Sequence, residues 1–479
     1  MTDVLKGLSR FAAEAAFDDL PHAIVHEAKR VLLDSIGCAL ASISSEKGRL
    51  CIALSQRLGG PAEASIIGVA GKVSSCNAVL ANGELINAMD YDALVIPGGH
   101  VSPYVVPPVM AIAEQRNASG KDLILATVLS HEVAMRVTRG MSPMIQVFAE
   151  GPDAQRYEWT TPYGGSRFNV GAAAGVGRLL ALDTQRMTHA LGLAGHYTQV
   201  PTHGKLSYSV PTSMVKYGTP GWQGTGAIVA CYLAEMGYLG DETLFDGVSG
   251  LWRFTGSDTW MPERVLPGLH DEWLFAEEQY KPYPCCRVLH SSLDLFYRMV
   301  GLHGFTPDDI DSIRVFGPQY CEKPHLQNRI IRSAIDAQFS AAYNFAVAAH
   351  GVTIGPEWQD DATMHDAKIL AFMDKVTCEV HPEYTRRPLA DRLMSLGRIE
   401  VSANGRTYTD ETTFAYGTPR PGFEMDDAAL IGKFRHNARR VLTPAQIDSA
   451  VDALMDLENV RAVSGLMRHI VPAHGSDAT

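Results

Sequence analysis

A change of periodicity along the chain constrains the fold more than any other feature. Up to about Gly268 the apolar residues recur at helical spacing in long Ala- and Leu-rich windows, such as HAIVHEAKRVLLDSIGCALAS and KDLILATVLSHEVAMRV. A stripe of that spacing must be covered along one helix face. After about Asp271, stretches rich in β-branched residues appear between helices: DSIRVFGPQY, KVTCEVHPE and GRIEVSANGRTYTDETTF. The last is centred on Ala-Asn-Gly-Arg, a strong hairpin signal. From Met425 the pattern is helical again, with Asp and Thr-Pro start signals. This order predicts a mainly α chain. Both ends, 1–270 and 416–479, are expected to form one large all-helical domain, with a smaller α+β domain, 271–415, inserted between them.

Within the first helical part, Glu132 and Arg136 are four apart on one helix, a spacing at which they can pair. GAAAGVGRLLALDTQRMTHALGLAG is rich enough in Gly and Ala to let helices approach closely at a packed centre. It is not a dinucleotide loop, because its glycines, Gly171, Gly175 and Gly177, lack GxGxxG spacing and no strand precedes them. In the insertion, helices are expected in CRVLHSSLDLFYRMV, SAIDAQFSAAYNFAVAAHG and TMHDAKILAFMDKV.

The 479 residues carry 41 Lys plus Arg against 53 Asp plus Glu, a net charge of −12. That balance disfavours nucleic acid or an anionic membrane surface as a partner, so an anionic substrate requires a local cationic pocket. The N-terminus has no basic segment leading into an apolar run, and no apolar run reaches about 18 residues. A cytoplasmic protein without membrane contact is expected. The eight cysteines lack CxxC spacing and read as free thiols. No HExxH or HxH spacing occurs, and His131, His189, His350 and His436 fall in helical windows without clustering. Neither a metal nor a cofactor is expected.

The stretch NAMDYDALVIPGGHVSP, Asn87 to Pro103, is where chemistry is most concentrated. His100 follows a Gly-rich turn that should expose it, and precedes a Ser-Pro helix start. By default such a histidine is a solvated turn residue. Asp90 lies at the end of the helix read in GELINAMD, where an acid opposes the helix dipole and asks for a specific partner. Lys216 precedes Gly218, Gly221 and Gly224, which permit close approach of a ligand or backbone. A lysine on such a loop is by default exposed, and if buried it becomes a candidate base. If a helix begins near Cys285, Arg287 falls in its first turn, a position that asks for an anion, with His290 one step along the same face.

Four motifs carry a family resemblance: NAMDYDALVIPGGHVSPYVVPPVMAIAE, SMVKYGTPGWQGTGAIVACYLAEMGYLG, YKPYPCCRVLHSSLDLF and AQFSAAYNFAVA. Together with the helical–insertion–helical layout, they resemble the MmgE/PrpD family of lyases and isomerases. That family includes 2-methylcitrate dehydratase, cis-aconitate decarboxylase and iminodisuccinate epimerase. The resemblance implies an active site at the junction of the helical part and an α+β lid, and a homodimer formed through the helical domain. It places His100, Asp90, Lys216 and Lys281 as catalytic groups, with Arg287, His290, Asp92 and Tyr163 contacting the substrate. Cys285 and Cys286 belong to a hinge segment and not to a nucleophile. The implied activity is a cofactor-independent lyase working by α-proton abstraction on a small carboxylate, first of all a 2-methylcitrate dehydratase-like hydro-lyase. A dicarboxylate epimerase, a cis-aconitate decarboxylase-like enzyme and a non-catalytic binding protein are the alternatives.

Two departures qualify this. Ala93 and Leu94 stand where lyases of the family carry a carboxylate and a hydroxyl. The stretch TTPYGGSRFNVGAAAG offers Thr160, Thr161, Tyr163, Ser166 and Arg167 where decarboxylases and many dehydratases carry a histidine. Decarboxylation is the reaction these changes favour least, and they suit a less polar substrate.

Overall fold

The computed structural model describes residues 4–96, 98–141, 145–149, 155–159, 165–200, 203–384 and 396–472. The fold is mainly α, with strands confined to small sheets. Its larger apolar core is built from helices of the first 235 residues, joined by segments up to Tyr280. The end of the chain returns to that same core: Leu430, Phe434, Leu454 and Leu466 are buried in it. Helix Asp427–Ala438 lies along helix His22–Ala41, where Gly37 admits the Phe434 ring.

At the centre, helix Asn169–Leu179 packs on helices Gly120–Arg139 and Ser102–Gln115. The contact is as close as the Gly/Ala-rich run implies, since a Cβ on Gly175 would sit 2.0 Å from Ser130 Oγ and 2.4 Å from the Ala126 carbonyl oxygen. Glu132 and Arg136 do pair, at 2.6 Å. The pair is fully buried, and the Arg136 guanidinium also donates to the carbonyls of Val265, Pro267, Gly268 and Glu272. It staples the 265–272 segment onto the helix. His131 is likewise partnered: its Nδ1 donates to the Thr127 carbonyl, and its Nε2 accepts from Ser102, the first residue of helix Ser102–Gln115.

A second apolar core is built from residues 283–403 and Leu206. Its sheet runs in the order Arg406–Thr412, Gly397–Ala403, Ile310–Gly317, Val376–Val380, with only the last pairing parallel. Asn404 (φ 52°) and Gly405 (φ 72°) make the tight turn between Ala403 and Arg406, the left-handed pair that Asn-Gly adopts readily. Helix His290–His303 covers this sheet. The AQFSAAYNFAVA run forms two helices, Ala334–Phe339 and Ala341–Ala349, because the Ser340 hydroxyl accepts from Tyr343 N and restarts the second. All eight cysteines are free, and among the described residues no helix is long and apolar enough to cross a membrane.

The close centre gives a direct test. Gly175→Ala forces a methyl into backbone as well as side-chain atoms, with an expected loss of about 3 kcal/mol, read as a lower urea midpoint.

Candidate active site

The site grows out of the frayed end of one helix. Helix Ser75–Asn87 leaves its last carbonyls without intrahelical partners. Side chains from distant elements take them: Lys216 donates to Asn87 O at 2.7 Å, Gln338 to Ala88 O at 2.7 Å and Gln359 to Met89 O at 2.9 Å. Gln359 also reaches Pro284 O at 2.8 Å, and Cys286 N donates to Gln338 O at 3.0 Å. The α+β part is thus docked on this helix end, and the Gln of the AQFS motif is one of its anchors. The helix stops three residues before Asp90, earlier than the sequence pattern implies, and Asp90 itself is left-handed (φ 54°). That conformation turns its carboxylate back beneath the carbonyls.

Asp90 is fully buried and ion-paired twice, to Lys216 Nζ at 2.9 Å and to Lys281 Nζ at 2.6 Å, both lysines being completely enclosed. The glycines after Lys216 serve backbone approach: a Cβ on Gly221 would lie 2.2 Å from the Leu80 carbonyl oxygen, so helix Pro220–Glu235 presses against helix Ser75–Asn87. Lys216 is therefore held under the helix end and not exposed on a loop. Burial alone would raise the Asp90 carboxyl, but the charges of Lys216 and Lys281 hold that group well below the usual range. Burial brings Lys216 down to about 8, with Asp90 opposing the fall.

His100 sits beside this centre. Its Nδ1 donates to Asp92 Oδ2 at 2.8 Å; a carboxylate only accepts, so the proton is on Nδ1 and the Nε2 lone pair faces Asp90 Oδ1 at 3.9 Å. Asn87 holds the other Asp92 oxygen at 3.1 Å. The histidine is only 9% exposed, contrary to the turn-based expectation. The reason is local: Val95 and Gly99 exchange backbone hydrogen bonds, Arg167 donates to Gly98 O at 2.8 Å, and the Tyr217 ring stacks on the imidazole at 4.7 Å. Tyr217, hydrogen-bonded to Asp90, keeps its proton because burial and that carboxylate push the phenol well up.

Of the residues singled out in the sequence, the structure gathers Asp90, Asp92, His100, Lys216 and Lys281. It does not bring the Arg287 guanidinium into that group. Arg287 donates to Tyr280 O, Tyr416 O and the Thr418 hydroxyl, tying together the two strands of chain that enter and leave the α+β part. It lies in a single 3-10 turn, Arg287–Leu289, ahead of the α-helix that starts at His290. His290 is buried, with Nε2 donating to Cys285 O at 3.1 Å, and burial with the Arg287 and Lys281 charges holds it well below its ordinary value. Burial pushes the Cys286 thiol up to about 12 and Cys285 well above its ordinary value, which disfavours either as a nucleophile. Thr160, Thr161 and Tyr163 lie outside the described residues. Sequence reasoning missed Tyr217, although it adjoins Lys216. It also missed His325, whose ring packs on Phe339 at 4.9 Å and which burial lowers to about 4. No motif marked His325.

Ala93 and Leu94 contribute through the backbone. Ala93 N donates to Asp34 Oδ2 at 3.0 Å, and Leu94–Val95 pairs antiparallel with Glu278–Gln279, the strand that leads into Lys281. The absent hydroxyl and carboxylate leave those contacts intact.

A helical scaffold holding a desolvated Asp–Lys–Lys centre next to an Asp–His dyad suits acid–base chemistry beside an anion. Comparison with known proteins agrees. Residues 6–262 match the MmgE/PrpD N-terminal domain and residues 283–457 the MmgE/PrpD C-terminal domain. The chain belongs to the MmgE/PrpD family. Among its relatives, the cis-aconitate decarboxylase of Aspergillus terreus is 24% identical over 97% of this chain and 95% of its own length. The human cis-aconitate decarboxylase is 23% identical over 93% and 90%, respectively. A cis-aconitate decarboxylase-like protein of Aspergillus oryzae is 25% identical over 97% and 96%. Family and relatives together support lyase-type activity.

The lowered Lys216 has a measurable sign. Unfolded, the lysine keeps its proton up to about 10.5; folded, it releases it near 8. Between those values the unfolded chain binds more protons, so stability rises with pH across that window. Lys216→Met is expected to flatten this rise in urea unfolding curves. Asp90→Ala strands two buried ammonium groups and is expected to cost about 3–5 kcal/mol by the same measurement.

Proposed function

We propose that this protein is a cofactor-independent lyase that removes a proton α to a carboxylate of a small polycarboxylate and expels water from the neighbouring carbon. The observation that supports this reading is the burial of two lysines on one aspartate within reach of a histidine whose tautomer is fixed. Among the described residues Lys281 has one hydrogen-bond acceptor, Asp90 Oδ2, so two of its three donors are available to a substrate carboxylate. As charge develops on that carboxylate, a fixed ammonium in a dry site stabilises it. His100 Nε2 takes the α-proton and Asp92 stabilises the resulting imidazolium. The electron pair forms the C=C bond, and the C–O bond breaks. Lys216, protonated at neutral pH yet more acidic than an ordinary lysine, delivers a proton to the departing hydroxide, which leaves as water. Tyr217 covers the imidazole, and Arg287 and His290 act behind Lys281 by fixing the segment that carries it.

A second reading is favoured by the relatives, which are named as cis-aconitate decarboxylases. The same groups, run as acid instead of base, protonate a carbon while CO2 leaves. We infer also that the protein works as a homodimer through its helical part; Leu50, Leu54 and Leu58, exposed at 57%, 49% and 55% along helix Glu46–Leu58, support such a surface.

The deciding experiment is NMR in deuterium oxide on citrate, 2-methylcitrate and cis-aconitate. Formation of the unsaturated acid from a hydroxy acid is the expected result. Release of CO2 from cis-aconitate transfers the assignment to the second reading, and α-proton exchange without loss of water or CO2 sinks both in favour of an isomerase. His100→Ala is expected to lower kcat about a thousandfold in a variant that still folds, as read by urea unfolding; a fully active variant overturns the assignment of the base.

A further inference from the structure

We propose that Asp34 and Lys433 are a positioning pair that aims the active-site carboxylates from behind, so that a residue of the C-terminal helical part governs a site it does not touch. This rests on the reading of Asp90, Asp92 and His100 as the reacting cluster. Asp34 is on helix His22–Ala41 and Lys433 on helix Asp427–Ala438, and both are buried. Lys433 Nζ donates to Asp34 Oδ1 at 2.7 Å and to Tyr91 O at 2.7 Å, and it lies 3.9 Å above the Tyr91 ring. The second Asp34 oxygen accepts from Ala93 N at 3.0 Å.

The pair therefore grips the carbonyl just before Asp92 and the N–H just after it. Asp92 is the residue that fixes His100, and Asp90, one residue ahead of the grip, is the left-handed residue that carries both active-site lysines. On the opposite side of the same loop the Tyr91 hydroxyl donates to Pro282 O, next to Lys281. A small rotation about Tyr91–Ala93 would swing both carboxylates away from their partners. Stability alone does not account for the arrangement, because a buried ion pair is often matched or bettered by apolar residues of the same volume. What an apolar pair cannot do is hold a carbonyl and an N–H in fixed directions. Cys38 Sγ also lies at the pair, 3.9 Å from Asp34 Oδ2.

This separates positioning from packing. The apolar double variant Asp34→Leu/Lys433→Met keeps volume and removes both buried charges, whereas Asp34→Asn/Lys433→Gln keeps hydrogen-bonding ends. Two readouts are taken on each folded variant: the His100 tautomer by long-range 15N histidine NMR, assigned with a His100→Gln spectrum, and turnover of the substrate found above. The apolar double is expected to fold with a wild-type urea midpoint, to lose the Nδ1–H preference of His100, and to drop in kcat about a hundredfold, the scale of a 1 Å misplacement. The amide double is expected to restore both readouts. A folded apolar double with wild-type tautomer and rate overturns the proposal, as does an amide double that recovers neither. Should the apolar double not fold, the milder single variant Asp34→Asn carries the same test, since it keeps the volume and removes the carboxylate that accepts from Ala93 N–H. If wild-type protein turns over none of the acids tried, the functional reading fails, and the tautomer readout still decides this one.

Discussion

One desolvated carboxylate organises the molecule. Asp90 has no contact with water, and a bare carboxylate in that position would be prohibitively costly. Two ammonium groups from separate parts of the chain meet it, and their charges offset its burial. The requirement propagates outward. To reach Asp90, Lys216 must lie against the end of helix Ser75–Asn87, which needs the glycine contact of helix Pro220–Glu235. Lys281 must come from the strand that pairs with Leu94–Val95, which draws the entrance of the α+β part onto the helical part. The partial negative charge of the helix end, with its carbonyls capped by Lys216, Gln338 and Gln359, favours the same cations.

How much of this was legible in the sequence varies with the range of the interaction. The change from helical to alternating pattern and back, and the Asn404–Gly405 turn, are local properties of the chain, and the structure follows them, except that the part read as all-helical also contains the antiparallel strand pair Ile145–Ala149 and Gln155–Trp159. The gathering of Asp90, His100, Lys216 and Lys281 followed from motif resemblance, because spacing along the chain says nothing of what a loop faces. His100 shows the limit: Pro-Gly-Gly before it reads as an exposed turn, yet burial is decided by Tyr217 and Arg167, residues remote in sequence. The Glu132–Arg136 pair forms as its spacing allows, but the backbone carbonyls that Arg136 also holds are remote in sequence and left no mark there. Asp34 and Lys433 sit in ordinary amphipathic helices and carried no signal at all.

The departures from the lyase pattern take a different meaning in three dimensions. Ala93 and Leu94 lack the polar side chains of their counterparts, but the positions are held by main-chain groups, to Asp34 and to the Glu278–Gln279 strand. The scaffold of the loop is therefore independent of what those two side chains offer a ligand. Side-chain chemistry there can change without dismantling the Asp–Lys–Lys centre.

The grip of Lys433 on Tyr91 has a consequence for biosynthesis. Its two anchor residues, Asp34 and Lys433, are 399 positions apart, and the carbonyls of the same loop also wait for Gln338 and Gln359. As the chain leaves the ribosome, the stretch that will hold the catalytic groups is made early but finds its last partner only when nearly all the polypeptide has emerged. Closing so long a connection is slow relative to local helix formation. The loop that carries Asp90 and Asp92 therefore gains its full set of contacts late, with helix Asp427–Ala438.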